Sequence, residues 1–177
     1  MLAIGVGLEQ GQRRGADRQG FGMDDLASHD DTLRIEPDDP HVDLRIGEEL
    51  DQTLRHFCAQ LLDRHFDAIH GMIHCSGGGQ TKCLKYLPGP MKIVKDNLFT
   101  PPIIFDLIKD ASGADAREMY QVFNMGTRLE IYTNEKDADT LINISKSFGV
   151  DAQVIGRVEA SEKKELVIKL KDEELLF

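Results

Sequence analysis

At 177 residues the chain can hold one domain with a real core, or one domain and a tail. Its 41% hydrophobic and 29% charged residues are ordinary for a soluble globular protein, and a net charge of -10 excludes nucleic acid or an anionic membrane as the main partner. No apolar run approaches the ~18 residues that span a bilayer, the opening MLAIGVGLEQ lacks the features of a secretory signal, and three cysteines (Cys58, Cys75, Cys83) cannot all pair, which fits a reduced, cytoplasmic interior.

Residues 1–40 carry four arginines against nine acids, few branched or aromatic residues and no sustained period. Such a segment folds weakly, and residues 1–45 are expected to be an atypical leader. The compositional break continues along the chain: all eleven lysines fall at or after Lys82, and all six histidines at or before His74.

From Ile46 a helical period runs through Leu50, Leu54, Phe57, Cys58, Leu61 and Leu62. Acids open it and Arg64 and His65 close it, the polarity that the helix dipole favours. The short, bounded run Ile69 to His74 reads as a strand. After three glycines, Gln80 to Leu87 suits about two helical turns, stopped by Pro88-Gly89-Pro90. Met91 to Val94 is a strand, and Pro101-Pro102 opens a helix through Ile103, Ile104, Leu107 and Ile108. Ala114 to Val122 is a further short helix. Thr127 to Tyr132 alternates as a strand with Leu129 and Ile131 inward. Asn134 caps a helix whose stripe is Ala138, Leu141, Ile142, Ser145 and Phe148, ended by Gly149. Ala152 to Val158 and Leu166 to Leu170 close as strands. Strands and helices follow no strict βαβ rhythm, so the expected class is α+β, a mixed sheet with helices packed on one face.

Two stretches could carry chemistry. In HCSGGGQTK (74–82), adjacent glycines leave backbone N–H groups unshielded, and a phosphate can approach them closely. Ser76 could add a hydrogen bond, and His74 could exchange a proton near neutrality. The competing readings are a tight turn and a structural histidine. No established phosphate-loop or nucleophile-elbow spacing is present. Cys75 has no base near it in sequence, and His65, His70, His74 and Cys75 match no zinc ligand pattern, so no metal site is expected there. In EMYQVFNMG (118–126), Asn124 and Gly126 either read a ligand or form a simple Asn-x-Gly turn.

Together, IHGMIHCSGGGQTK (69–82), EMYQVFNMG (118–126) and VIGRV (154–158) resemble the phosphoribosylformylglycinamidine cyclo-ligases, also called aminoimidazole ribonucleotide synthetases. The resemblance covers roughly Ile69 to Leu170 and lies in that family's C-terminal domain, so residues 46–177 are expected to be that domain. His74, Ser76, Gly77, Gly78, Gly79, Asn124, Met125 and Gly126 match the family's motif positions.

The resemblance implies an ATP- and Mg2+-dependent ligase of purine biosynthesis, homodimeric when complete. ATP activates the amide oxygen of formylglycinamidine ribonucleotide, and an amine of the same substrate closes the imidazole ring and expels phosphate. It implies that Ser76 and the three glycines hold phosphate or the developing iminophosphate, that His74 donates or polarises a proton, and that Asn124 and Gly126 shape the substrate cleft. Family members are about twice this length. Their N-terminal ATP-binding domain has no counterpart here, so the chain alone is expected to lack ATP-dependent activity. The competing readings are a kinase-like relative making a selenium or thiamine phosphoester, and a non-catalytic phosphate-binding fragment.

Overall fold

The structure, a computed structural model, describes residues 1–7 and 45–177. Seven strands form one sheet: β1 (Leu2–Gly7), β2 (Ile69–His74), β3 (Met91–Lys95), β4 (Thr127–Thr133), β5 (Ala152–Ala160), β6 (Glu165–Lys169) and β7 (Glu174–Leu176). Their spatial order is β2-β4-β1-β5-β3-β6-β7. Only β3 and β6 run parallel, so the sheet is mixed. Among the described residues four α-helices accompany it: α1 (Arg45–Arg64), α2 (Ile103–Ser112), α3 (Ala116–Val122) and α4 (Glu135–Ser147).

The α+β class with a mixed sheet is the one the sequence implies. Helices α1 and α4 share one face: Phe57 and Leu61 from α1 and Ala138 and Leu141 from α4 bury against Ile4, Val6, Leu129 and Ile131. The opposite face is covered as well, so packing is not confined to one side. Ala3, Tyr132, Ile93 and Ile155 meet Met119, Tyr120 and Cys83 there. The reason lies in strand alternation. Leu129 and Ile131 point to one side of β4, while Glu130 and Tyr132, equally buried, point to the other.

Strand β1 is the main departure. The first residues, expected to belong to a weakly folding leader, form a strand between β4 and β5 in the middle of the sheet, with Ala3, Ile4 and Val6 buried. The rest of that expected leader, from residue 8 to residue 44, lies outside the described residues.

Most other elements match their expected places. In α1, Phe57 and Leu61 are buried but Leu62 is exposed, and the side chains of Leu50 and Leu54 lie outside the described set. In α2, Ile103, Ile104 and Leu107 face solvent while Phe105 and Ile108 pack on the core. The N-terminus of α3 is fixed by a capping box, with the Glu118 N–H donating to the Asp115 carboxylate and the Asp115 N–H to that of Glu118. The segment after the glycines is a 3-10 helix, Gly79–Lys85. No helix among the described residues is long and apolar enough to cross a membrane.

Candidate functional site

Antiparallel pairing explains why the two motif stretches meet. His74 at the end of β2 stands opposite Leu129 near the start of β4, and the Cys75 N–H donates to the Arg128 carbonyl at 2.8 Å. The chain leaving β2 and the chain entering β4 therefore emerge at the same end of the sheet. The first is the glycine loop, and the second is the turn Asn124–Gly126.

The loop is pinned on its inner side. The Gly79 N–H donates to the Ser76 carbonyl at 3.1 Å, and the Thr81 hydroxyl donates to the Gly78 carbonyl at 2.9 Å. Gly78 and Gly79 take φ of 97° and 49°, in the left-handed region. A Cβ on Gly79 would lie 2.5 Å from the Phe123 carbonyl oxygen and 2.8 Å from the Tyr120 carbonyl oxygen, so only glycine lets the loop seat against the end of α3. Gln80, fully buried, donates from Nε2 to the Asn124 carbonyl at 2.5 Å. That bond ties the two motifs, which lie 44 residues apart, to each other.

The outer side is open. His74, Ser76 and Gly77 are exposed, and a Cβ on Gly77 would meet nothing within 4 Å. The N–H groups of Gly77 and Gly78 have no acceptor among the described residues. Lys82 donates from Nζ to the Ser76 Oγ at 2.6 Å.

Asn124 is partly spoken for. Its Oδ1 accepts the Gly126 N–H at 3.0 Å, an Asn-x-Gly turn that holds Met125 and Gly126 at φ of 51° and 94°. Its amide nitrogen has no acceptor among the described residues. Gly126 lines a different space, a cavity of about 330 Å³ shared with Phe99, Thr100, Pro102, Asp151 and Gln153. The structure thus joins Gly79 to the Asn124 turn through Gln80, sets His74, Ser76 and Gly77 along one exposed lip, and turns Gly126 elsewhere.

Beneath the loop lies a polar network that sequence reasoning missed. Lys95 on β3 is wholly buried; its ammonium donates to Glu130 Oε1 at 2.5 Å, to Gln80 Oε1 at 2.9 Å and to the Gln80 carbonyl at 2.9 Å. Glu130 also accepts from the Tyr132 hydroxyl at 2.7 Å and from the Cys75 thiol at 3.3 Å. Gly5 stands opposite Glu130 and Gly156 opposite Lys95, so neither facing residue carries a side chain of its own. An alternating strand gave no hint that Glu130 faces inward. Its partner lies 35 residues away, beyond the reach of any local signal.

This network holds protons tightly. Burial, and then the Glu130 charge, pushes the Cys75 thiol well above its ordinary range. Burial pushes Cys83 up to about 11 and Tyr132 well above the usual phenol value. For Lys95, burial works against the charge, but the Glu130 carboxylate outweighs it and the ammonium titrates above its ordinary value. Cys75 is therefore a neutral thiol near pH 7 and no nucleophile. Each raised group binds its proton more tightly folded than unfolded. Their stabilisation is complete below the unfolded pKa values and is lost as pH rises through the folded ones. Chemical denaturation under reducing conditions should show stability level up to about pH 7.5, falling from about pH 8 as unfolded thiols ionise, and steadily beyond. Unchanged stability at pH 10.5 would contradict this account of the network.

Comparison with known proteins places the fold. Solved structures that share it include E. coli HypE, a hydrogenase maturation protein (TM-score 0.51, 18% identity, 70% of this chain and 38% of that one). Another is T. maritima PurL complexed with ATP (TM-score 0.50, 10% identity, 72% of this chain and 20% of that one). Among curated proteins, the phosphoribosylformylglycinamidine cyclo-ligase of Methanobrevibacter smithii is 32% identical over 162 residues, covering 89% of this chain and 46% of its own length. That of Pseudothermotoga lettingae is 32% identical over 120 residues, covering 67% of this chain and 36% of its own. The chain thus spans less than half the length of these relatives. The family model described as AIR synthase related protein, C-terminal domain, matches residues 20–169, most of the chain, and the chain belongs to that family.

Proposed function

We propose that the chain is the C-terminal portion of an ATP-dependent ligase that closes the imidazole ring of formylglycinamidine ribonucleotide, giving aminoimidazole ribonucleotide, ADP and phosphate. The observation that carries this reading is the open lip of the loop: the N–H groups of Gly77 and Gly78, which have no acceptor among the described residues, stand with the exposed Ser76 beside the turn that carries Asn124. Donors so placed suit a phosphoryl group, which presents several acceptor oxygens and needs close backbone approach. The relatives named cyclo-ligase supply the reaction.

ATP supplies the phosphoryl group that turns the substrate's amide oxygen into a leaving group. In this chain Ser76 and the amides of Gly77 and Gly78 bind that group and neutralise charge as it develops. Gly79 fixes the loop against α3, so these donors are preorganised. His74, exposed at the end of an edge strand beside the loop, donates or polarises a proton at the reacting oxygen. The amide nitrogen of Asn124 orients the substrate, and Gly126 leaves space in the separate cavity that it lines with Phe99 and Pro102. Among the described residues no three of His, Cys, Asp and Glu converge, so Mg2+ is assigned to no side chain here. The reading places ATP, the metal and the homodimer contacts chiefly with the part of the relatives that this chain does not span.

Thermal shift and calorimetry with formylglycinamidine ribonucleotide, ATP and inorganic phosphate test the reading. Ligand at about 100 times its Kd adds ~2.7 kcal/mol of stability. Gly77→Ala sharpens the test. Its position has no left-handed φ and no neighbour within 4 Å, so stability should stay within ~0.5 kcal/mol. The added methyl stands at the loop mouth and should abolish the ligand-induced shift. If no ligand raises the melting temperature of the unmodified chain, the loop is a turn and not a phosphate site.

A further inference from the structure

We propose that Lys82 is the charged member of the phosphoryl seat and binds the ligand directly, together with Ser76 and the Gly77 and Gly78 amides. The inference rests on the loop reading above and adds to it the residue that supplies the charge.

Taken alone, the loop offers only neutral donors. Lys82 lies on the 3-10 segment, three residues past Gly79, and three-residue spacing stacks side chains along such a helix. Its stem lies against Gly78, where a Cβ would come within 3.7 Å of the Lys82 Cβ. Its ammonium reaches back over the loop to Ser76 Oγ at 2.6 Å.

Two consequences of that contact point to an anion. Ser76 Oγ accepts from Lys82, so its own O–H is left to donate outward. Lys82 has three donors and this contact uses one. No carboxylate among the described residues lies within ion-pair distance of it, in a chain with ten more acids than bases. Lys95, by contrast, is saturated by Glu130 and Gln80 and is wholly buried. Lys85, on the same segment, is exposed, and its side chain makes no hydrogen bond or ion pair with the loop among the described residues. The lip therefore gathers two ammonium N–H groups, one hydroxyl and two backbone amides. That set matches the oxygens of a phosphate monoester, and an ammonium makes the bonds charge-assisted.

The test is calorimetric titration of ribose 5-phosphate, and separately of inorganic phosphate, into the full chain and its K82M, K82R and K85M variants. Circular dichroism melts establish that each variant is folded. Hydrogen bonds to charged groups are the stronger kind, so K82M should weaken ribose 5-phosphate binding by about tenfold or more. It should also flatten the dependence of affinity on salt. K82R should retain most of the affinity, and K85M should stay within about twofold. If the unmodified chain binds and K82M binds within about twofold of it, Lys82 is no ligand and the assignment falls while the loop reading stands. If the unmodified chain binds neither probe, the loop reading falls and Lys82 with it.

Discussion

Lys95→Met should cost about 3–5 kcal/mol of stability, the range for removing one member of a buried ion pair. At roughly 2–4 °C per kcal/mol for a chain of this size, the melting temperature should drop by about 10 °C. The cause is not the lost attraction alone. Glu130 would be left buried without its counter-ion, with the Tyr132 hydroxyl and the Cys75 thiol its remaining donors among the described residues, and both Gln80 oxygens would lose a donor. The double variant K95M/E130Q removes both charges and keeps an acceptor for Tyr132, so it should recover more than half of the loss. Equal melting temperatures for the single and double variants would show that the uncompensated charge is not what destabilises the single one. The pair also bears on the site. Gln80 donates to the Asn124 carbonyl from its amide nitrogen and accepts from Lys95 at its amide oxygen, so losing Lys95 loosens the amide that ties the two motifs.

Gly79→Ala should be the most damaging change within the loop. Left-handed backbone costs a non-glycine residue about 1–2 kcal/mol. The new methyl would also press on backbone oxygens of Tyr120 and Phe123, which cannot rotate away. Overpacking adds ~1–3 kcal/mol, for a total of about 3 kcal/mol. Urea denaturation measures it directly. Gly77→Ala, two residues away, should show almost none of this, and the contrast separates a glycine needed by the fold from one needed by a ligand. A Gly79→Ala chain as stable as its parent would mean that α3 and the loop do not hold each other in place.

Much of the fold was legible because local signals sufficed. The period of α4, the alternation in β4 and the proline start of α2 each rest on residues a few positions apart. The glycine triplet and the Asn-x-Gly turn were visible for the same reason, though their meeting was not. That meeting depends on the β2–β4 pairing, which joins residues more than fifty positions apart. Strand β1 was missed because LAIGVG is short and buried on both faces, so it shows no alternation, and a polar stretch follows it. No motif in the sequence sets Lys82 or Lys95 apart from the other lysines. Only three-dimensional placement shows one poised over the loop and the other sealed beneath it.

The position of β1 also sets an order of events in folding. Leu2 pairs with Thr133 on one side and Arg157 on the other, so the centre of the sheet closes only after residue 157 has been made. At about 5–20 residues per second, a nascent chain waits roughly ten seconds or more between making β1 and completing its pairing. Ile4 and Val6 lack their β4 partners until residue 131 has been made and their β5 partners for longer still, so strand edges are available to other chains. Sheets built on such distant contacts fold slowly, in milliseconds to seconds once complete. Expression yield should therefore respond to translation speed and chaperone supply more than the stability of the finished domain would suggest.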